Sequence, residues 1–599
     1  MDASSGSMHV AMLPWLAFGH ILPFAEFAKR VARQGHRVTL FSTPRNTRRL
    51  IDVPPALAGR IRVVDISLPR DERLPENAEA TIDLPSDDLR PYMRRAYDDA
   101  FVESRSPANV SGERRQLVSE RTWGMSRRPG KSPAGHSGKS PEVRSGGSRS
   151  EATHDPIPMA PAQSPSPAPA ERVSGEPIPP EEGEEPSEDE LDHDHDDAPL
   201  RLRSINELVD DAPISGERFR RTTTAFAREL SRLLQETGPS RPDWVLVDYA
   251  AYWAPEAAAR YGVPCAFLSL FGAAALSFLG PAEALMGRGK YAKTEPAHLT
   301  VVPDFVPFPT TVAFRGYEAR ELFKPGMIPD DSGVSESYRF GKSIDGCQLV
   351  AVRSSREFEP EWLQLLGEIY QKPVIPIGMF PPPPSEGFAD HEETLRWLDR
   401  QAPNSVVYAA FGSEVKLTSA QLQIIALGLE ASGLPFIGAF RPPADAGDGN
   451  GTDGCPEGFE ERVNGRGVVC RGWVPQVRFL AHGSVGGFLT HAGWNSIAEG
   501  LAQGVRLVLL PLVFDQGLNA RHLAEKKVAV EVSRNEDDGA FTAKDIADAL
   551  KRVMVEEEGE EFGIKARELA EVFGNDEVND HYVQDFLRCL SEYKMQQEA

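Results

Sequence analysis

Cysteine is scarce. The 599 residues hold five, at Cys265, Cys347, Cys455, Cys470 and Cys589, and no two have the CxxC spacing. This excludes a disulfide framework and fits reduced thiols in a cytosolic protein. Long apolar runs are also missing: none reaches membrane-span length, and Phe267 to Leu279 reads as a short buried strand, loop and helix. Positive charge is in deficit, with 65 Lys and Arg against 89 Asp and Glu, a net charge of −24. That charge argues against a nucleic-acid-binding surface. The opening MDASSGSMHV has no charged segment before an apolar one, so no signal peptide is expected. No GxGxxG follows the first apolar strand, where WLAFGH stands instead, which sets aside a dinucleotide-dependent dehydrogenase. What remains is a long chain, 40% hydrophobic, with room for two or more domains and a sizeable core.

The pattern along the chain is α/β. His9 to Trp15 is a short apolar strand, Ile21 to Gln34 has helical periodicity, and Arg37 to Ser42 is a strand again. A βαβ opening of this kind implies a parallel sheet. Ile61 to Leu68, Trp244 to Asp248 and Pro264 to Leu270 add strands, and Glu256 to Tyr261 is helical. Near Gly378 the sequence becomes Pro-rich and then polar (MFPPPPSEGFADHEE), as in an interdomain linker. A second βα series starts at Ser405 to Ser413 and continues through Leu434–Phe440, Gly467–Cys470, Val485–Thr490, Val505–Pro511 and Val528–Val532. Amphipathic helices follow from about Thr542 to Tyr593.

One segment stands apart. From about 102 to 226 the chain is rich in Ser, Pro, Gly and charge, basic at first (RRPGKSPAGHSGKSPEVR) and then acidic (EEGEEPSEDELDHDHDD). Such a composition cannot bury enough apolar surface to offset its ordering entropy, so the segment reads as disordered. Joining Phe101 to Ala227 places Met93, Tyr97, Phe101, Leu230 and Leu233 on one helical face. The segment therefore reads as an insertion into a helix. Asp194 and Asp196 flank His195 in the acidic run; with no strand around them, a metal role is set aside.

The chemistry concentrates in WVPQVRFLAHGSVGGFLTHAGWNSIAEGLAQGVRLVLLPLVFDQ, Trp473 to Gln516. It supplies an aromatic platform, hydroxyl readers and diphosphate donors within a strand, a turn and a helix. His491 ends the strand, at the edge where open α/β sheets bind ligands. Asn495 and Ser496 fall in the first turn of the next helix, where free N–H groups and the positive dipole end favour phosphate. Glu499 is one turn further on, placed to accept from ribose hydroxyls. Asp515 and Gln516 close the loop after the next strand. Singly, each has a plain structural reading: a core Trp, a helix cap, a structural helix residue at His482. Together, at these spacings, they point to a nucleotide. In WLAFGH, His20 follows the first strand directly, and Asp248 ends Trp244–Val247 at the same edge. A His there suits a general base, and an Asp fixes its tautomer and stabilises its charged form. On spacing alone an ordinary loop histidine is an equal reading.

The Trp473–Gln516 stretch resembles the signature box of plant UDP-sugar-dependent glycosyltransferases, glycosyltransferase family 1. The stretches MHVAMLPWLAFGHILPF, STPRN, AAFGSEVKL and DQGLNARHLAEKKVAVEV extend the likeness to nearly the whole chain outside the insertion. They point to the clade that adds a second sugar to flavonoid, triterpene or diterpene glycosides, which includes rhamnosyltransferases of the soyasaponin kind. The resemblance implies a GT-B fold, with two Rossmann-like doubly wound domains facing a cleft. Their expected bounds are 1–101 with 227–377 for acceptor binding, a linker at 378–395, 396–575 for the UDP-sugar, and a final helix at 576–599 packing back on the first domain. It makes Trp473 the uracil platform and Gln476 and Glu499 the ribose pair. It places His491, Asn495 and Ser496 on the diphosphate, and Trp494, Asp515 and Gln516 on the sugar hydroxyls. Val474 and Ser413 join the UDP-sugar site. His20 becomes the catalytic base and Asp248 its partner. Trp15, Phe18 and Tyr249 are expected to line an apolar acceptor pocket. Two positions depart from the family pattern: Ala492 stands where Cys is common, and Arg506 stands where Pro follows Gly-Val, putting a charge at the start of a buried strand.

The expected activity is inverting O-glycosyl transfer from a UDP-sugar (glucose, rhamnose or xylose) to a flavonoid or terpenoid glycoside. No cofactor and no metal are expected, nor any nucleic acid or membrane partner, and the protein is expected to be a cytoplasmic monomer. The competing expectation is a pseudoenzyme that binds UDP-sugar but is disabled by the 102–226 insertion.

Overall fold

Short, almost wholly apolar runs build two parallel sheets. The computed structural model describes residues 7–69, 71–98, 225–330, 332–384, 391–445 and 454–598. The first sheet contains β1 (His9–Leu13), β2 (Arg37–Ser42), β3 (Ile61–Asp65), β4 (Trp244–Val247), β5 (Cys265–Ser269), β6 (Leu349–Val352) and β7 (Val374–Pro376). Its strand order is β3-β2-β1-β4-β5-β6-β7. The second contains β8 (Val406–Ala410), β9 (Phe436–Phe440), β10 (Gly467–Arg471), β11 (Val485–Thr490), β12 (Arg506–Leu509) and β13 (Ala529–Glu531), in the order β10-β9-β8-β11-β12-β13. Each pairing is parallel. Helices cover both faces, so β1, β4, β5, β6, β8 and β11 are buried along their whole length, which is why they read as continuous apolar runs. The edge strands β3 and β10 are partly open. This is the GT-B arrangement.

The strand order reverses between β1 and β4 in the first sheet and between β8 and β11 in the second. At such a switch point the connections leave to opposite sides and open a crevice at the carboxyl edge. Several strands stop short of their expected ends, while β2, β9 and β11 end where expected. β1 ends at Leu13, because Pro14 has no N–H to extend the ladder; β3 ends at Asp65 and β8 at Ala410. The carboxyl edges are thereby left to loops.

Helix Phe18–Arg33 buries Phe24, Phe27, Ala28 and Val31 and carries Pro23 in its interior. Proline has no N–H, so the carbonyl four residues earlier, on Gly19, has no partner within the helix.

Helices Arg90–Asp98 and Ala225–Gln235 flank the segment set apart in the sequence. Met93, Tyr97, Phe226, Leu230 and Leu233 share one core, and the Tyr97 and Phe226 ring centroids lie 4.9 Å apart. Phe226, assigned to the insertion, is thus a core residue; its apolar side chain belongs with the helix that follows. Phe101, the remainder of 102–226 and its Asp194–Asp196 run lie outside the described residues. The 378–395 stretch is anchored at its start. Met379 and Phe380 are buried, and both backbone N–H groups donate to Asn579 Oδ1 at 2.8 Å. A helix already runs over Glu392–Leu398.

The last helix, Asp576–Glu598, lies on the first sheet. Val583, Phe586, Leu587 and Leu590 join the core formed by β1, β4 and helix Phe18–Arg33. Trp244 Nε1 donates to the Leu590 carbonyl at 3.2 Å. Arg30 pairs with Asp576 and Asp580. Arg506 finds a partner for its charge: Nε donates to the Gly559 carbonyl at 3.0 Å, and Gly563 leaves room where a Cβ would lie 2.8 Å from the guanidinium.

Candidate functional site

The carboxyl edges of the two sheets face each other across a cavity of about 1310 Å³. Trp15, Phe18, His20, Tyr249, Ser413, Trp473, Val474, Gln476, His491, Trp494, Asn495, Ser496, Glu499, Asp515 and Gln516 all line it. Asp248 stands behind His20. The two switch points explain the convergence: His20 follows β1, Asp248 follows β4, Ser413 follows β8 and His491 follows β11.

His20 Nδ1 lies 2.7 Å from Asp248 Oδ2. The carboxylate can only accept, so Nδ1 carries the hydrogen and the Nε2 lone pair is free. Asp248 is held in turn by the Trp15 N–H at 3.0 Å and the Tyr249 N–H at 2.7 Å, and it is buried. Burial opposes charging of His20. The charge and hydrogen bond of Asp248, with Glu414 and Asp515 nearby, outweigh it and raise the His20 pKa above its ordinary value.

Across the cavity Trp473 is 53% exposed, and its ring makes a T-shaped contact with that of Phe18, centroids 5.7 Å apart. An indole face left open in a concave site suits a planar base. Gln476 Nε2 donates to Glu499 Oε2 at 2.7 Å, while its carbonyl accepts from the Tyr408 hydroxyl at 3.3 Å. Burial raises the Glu499 pKa.

The turn after β11 is tight and strained. Ala492, at φ 64°, is left-handed, a conformation that costs a residue with a Cβ about 1–2 kcal/mol. The glycines beside it are packed: a Cβ at Gly412 or at Gly493 would fall 2.6 Å or 2.5 Å from the His491 ring. Burial, with Arg441 nearby, pushes the His491 pKa down to about 3, so this ring is neutral. Arg441 itself donates to the Ser413, Gly412 and Val415 carbonyls at 2.6–2.8 Å, fixing the loop after β8.

Two signature side chains are committed elsewhere. Trp494 Nε1 donates to the Arg353 carbonyl at 2.9 Å, so its indole N–H is not available to a sugar hydroxyl. Asn495 Nδ2 donates to the Gly19 carbonyl at 2.8 Å, the one released by Pro23, and its Oδ1 accepts from Arg353 Nη1. What these two residues keep for a ligand is the backbone N–H of a helix first turn. Among the described residues no such bond engages the Ser496 side chain.

After β12, Gln516 Oε1 accepts from the Leu512 and Val513 N–H groups at 2.9 Å, which leaves its amide N–H₂ to face the cavity. Asp515 Oδ2 accepts from Asn519 at 2.8 Å. Burial lifts the Asp515 pKa to about 6.

The cavity wall beside His20 is aromatic. Tyr249 stacks on Phe340 at 4.4 Å and 9°, and Phe271 meets both the Phe340 and His20 rings. Trp15 sits deeper, edge-on to Tyr97. Sequence reasoning missed Arg353, Glu414, Arg441, Phe271 and Phe340. Arg353 carried a usable signal, since it directly follows the apolar β6, as Asp248 follows β4. Among the described residues no group of three His, Cys, Asp or Glu is arranged to hold a metal ion, and no helix is long and apolar enough to cross a membrane.

Residues 389–565 match the family model described as UDP-glucoronosyl and UDP-glucosyl transferase. The chain is 35% identical to UDP-glycosyltransferase 91A1 of Arabidopsis thaliana, over 98% of this chain and 98% of that relative. It is 31% identical to Soyasaponin III rhamnosyltransferase of Glycine max, over 98% and 96%. Among solved structures, Phytolacca americana UGT2 complexed with UDP-2fluoro-glucose and pterostilbene superposes with a TM-score of 0.59 at 20% identity, over 98% of this chain and all of that one. That is a likeness of fold.

Proposed function

Because this chain belongs to the plant UDP-glycosyltransferase family, we propose that it moves the sugar of a UDP-sugar, with inversion, onto a hydroxyl of a flavonoid or terpenoid glycoside. The observation that carries the reading is the His20–Asp248 pair at 2.7 Å, opening onto the same cavity as the helix first turn at Trp494 to Ser496. His20 Nε2 takes the proton of the acceptor hydroxyl as that oxygen bonds to the anomeric carbon. The bond from that carbon to the diphosphate oxygen breaks, and UDP leaves from the opposite face. Asp248 holds the ring and stabilises the imidazolium.

Charge on the departing diphosphate is met by the helix N-terminus, Ser496, Ser413 and a neutral His491 donor, without a metal. Trp473 carries the uracil, with Val474 beside it. Gln476 and Glu499 hold the ribose, and Asp515 and the Gln516 amide read the sugar. The Soyasaponin III rhamnosyltransferase relative supports a glycoside acceptor and keeps rhamnose beside glucose and xylose as donor.

The test is mass-shift detection of transfer. UDP-glucose, UDP-rhamnose and UDP-xylose are offered against flavonoid and terpenoid monoglycosides, with and without EDTA. Transfer unaffected by EDTA, and lost in His20→Ala while UDP still binds, is expected. Undiminished turnover in that variant, or dependence on a divalent cation, would overturn the mechanism.

A further inference from the structure

Among the described residues six arginines are buried: Arg30, Arg90, Arg94, Arg339, Arg353 and Arg521. Arg30, Arg90, Arg94, Arg339 and Arg521 each pair with at least one carboxylate. Arg353 pairs with none of the described carboxylates; Glu499 reaches it only through its field. An ion taken out of water without a counter-charge is costly, so buried charges are paired as a rule. The exception points to an anion supplied from outside the chain.

The surroundings of Arg353 show where its charge is directed. Nε donates to the Met379 carbonyl at 2.8 Å, and the guanidinium lies against the Phe380 ring, 5.0 Å from its centroid. Nη1 donates to Asn495 Oδ1. Burial lowers the Arg353 pKa only to about 10, so the group is charged at neutral pH, while burial drives Glu499 toward its uncharged form. A full positive charge therefore lies one side chain away from the first turn of helix Trp494–Ala502. The free N–H groups and dipole end of that turn already favour an anion. Trp494 Nε1 donates to the Arg353 carbonyl at 2.9 Å, which holds the turn and the guanidinium in one register.

We propose that Arg353 is a positioning residue for the nucleotide: the diphosphate is its counter-charge, attracted through the Asn495 carboxamide without direct contact. This rests on the reading of the Trp494 to Ser496 turn as the diphosphate site, and it adds a charge carried by the opposite sheet. The attraction grows with the charge of the ligand. Uridine gains nothing from it. Released UDP carries more negative charge than a UDP-sugar, so the same field favours breaking the bond to the anomeric carbon.

The affinities of uridine and UDP for the full chain test it, measured by ligand-observed NMR titration. Arg353→Gln removes the charge and keeps an amide donor. It should bind UDP about tenfold or more weakly and bind uridine as the unmodified chain does. Arg353→Lys restores the charge and should recover most of the UDP affinity. Equal losses for uridine and UDP would make Arg353 a structural residue, and unchanged UDP affinity in Arg353→Gln would overturn the proposal outright. Should Arg353→Gln not fold, the unmodified chain decides. Its Arg353 Nε–H resonance, identified by its absence from Arg353→Lys, should shift on adding UDP and stay in place on adding uridine; no shift, or equal shifts, would overturn the proposal. An unmodified chain that binds neither ligand would defeat the nucleotide reading and the proposal together, whereas UDP binding indifferent to Arg353 defeats the proposal alone.

Discussion

The Asn495 side-chain amide donates to the Gly19 carbonyl at 2.8 Å, one residue before His20. Gly19 and Asn495 sit at the carboxyl edges of different sheets, and the bond exists because Pro23 leaves that carbonyl without a helical donor. The phosphate-side helix is thereby tied to the backbone that carries the base.

Replacing Pro23 tests this tie. In Pro23→Ala the new N–H competes with Asn495 for the Gly19 carbonyl. We expect the melting temperature to hold or rise, since an interior proline costs a helix about 3 kcal/mol, while kcat falls several-fold. Unchanged kcat would show the tie to be incidental.

The pH dependence follows from His20. The base must be neutral, and its pKa is raised, so kcat/KM should climb with pH through a value above the ordinary histidine pKa of about 6.5. In Asp248→Asn the negative charge that stabilises the imidazolium is gone. The rising limb should then move to lower pH while its plateau drops, as read from pH–rate profiles at saturating UDP-sugar.

Trp473→Ala should weaken UDP binding by about ten- to a hundredfold in calorimetry, the range for losing one base–aromatic stack. The ring is half exposed, so the melting temperature should barely move. A large fall in melting temperature with unchanged UDP affinity would make it a structural residue.

Gly412→Ala combines two penalties, a left-handed φ of 66° and a Cβ 2.6 Å from the His491 ring. Gly433→Ala has φ 74° and nothing within 4 Å, so it carries the backbone cost alone, about 1–2 kcal/mol. Denaturant midpoints should fall further for Gly412→Ala, and it alone should lose UDP affinity.

Deleting residues 99–224 and joining Asp98 to Ala225 should leave the core intact. Tyr97 and Phe226 already touch, and shortening the connection between touching residues lowers its closure entropy. The shortened chain is expected to melt at or above the temperature of the full chain and to transfer sugar at least as fast. A collapse of its cooperative transition would show the segment to be needed for folding.

The strands were legible because helices bury both of their faces, so β1, β4, β8 and β11 read as unbroken apolar runs. Their carboxyl ends put His20, Asp248 and His491 at the ligand-binding edge, and the family resemblance added Ser413 and gave the residues their expected roles. Three things were not legible. The Asn495 and Trp494 side chains donate to the backbone carbonyls of Gly19 and Arg353, 476 and 141 residues away along the chain. Phe226 looked like the end of a polar segment because Arg220, Arg221 and three threonines precede it, although it shares a helical face with Leu230 and Leu233. Met379 and Phe380 sat in proline-rich text, and their burial depends on Asn579, which no local pattern announces.

The helix Asp576–Glu598 has a consequence for biosynthesis. Its Leu590 carbonyl takes the Trp244 indole N–H, 346 residues after Trp244. At about 5–20 residues per second, the face of the first sheet that receives this helix waits about 20–70 s after Trp244 is made. During that interval Phe27, Phe380 and their neighbours are an uncovered apolar surface, open to chaperones or to another nascent chain. Lesions at Val583, Phe586 or Leu590 should therefore register as lost yield on the ribosome's timescale, before any assay of the finished enzyme can see them.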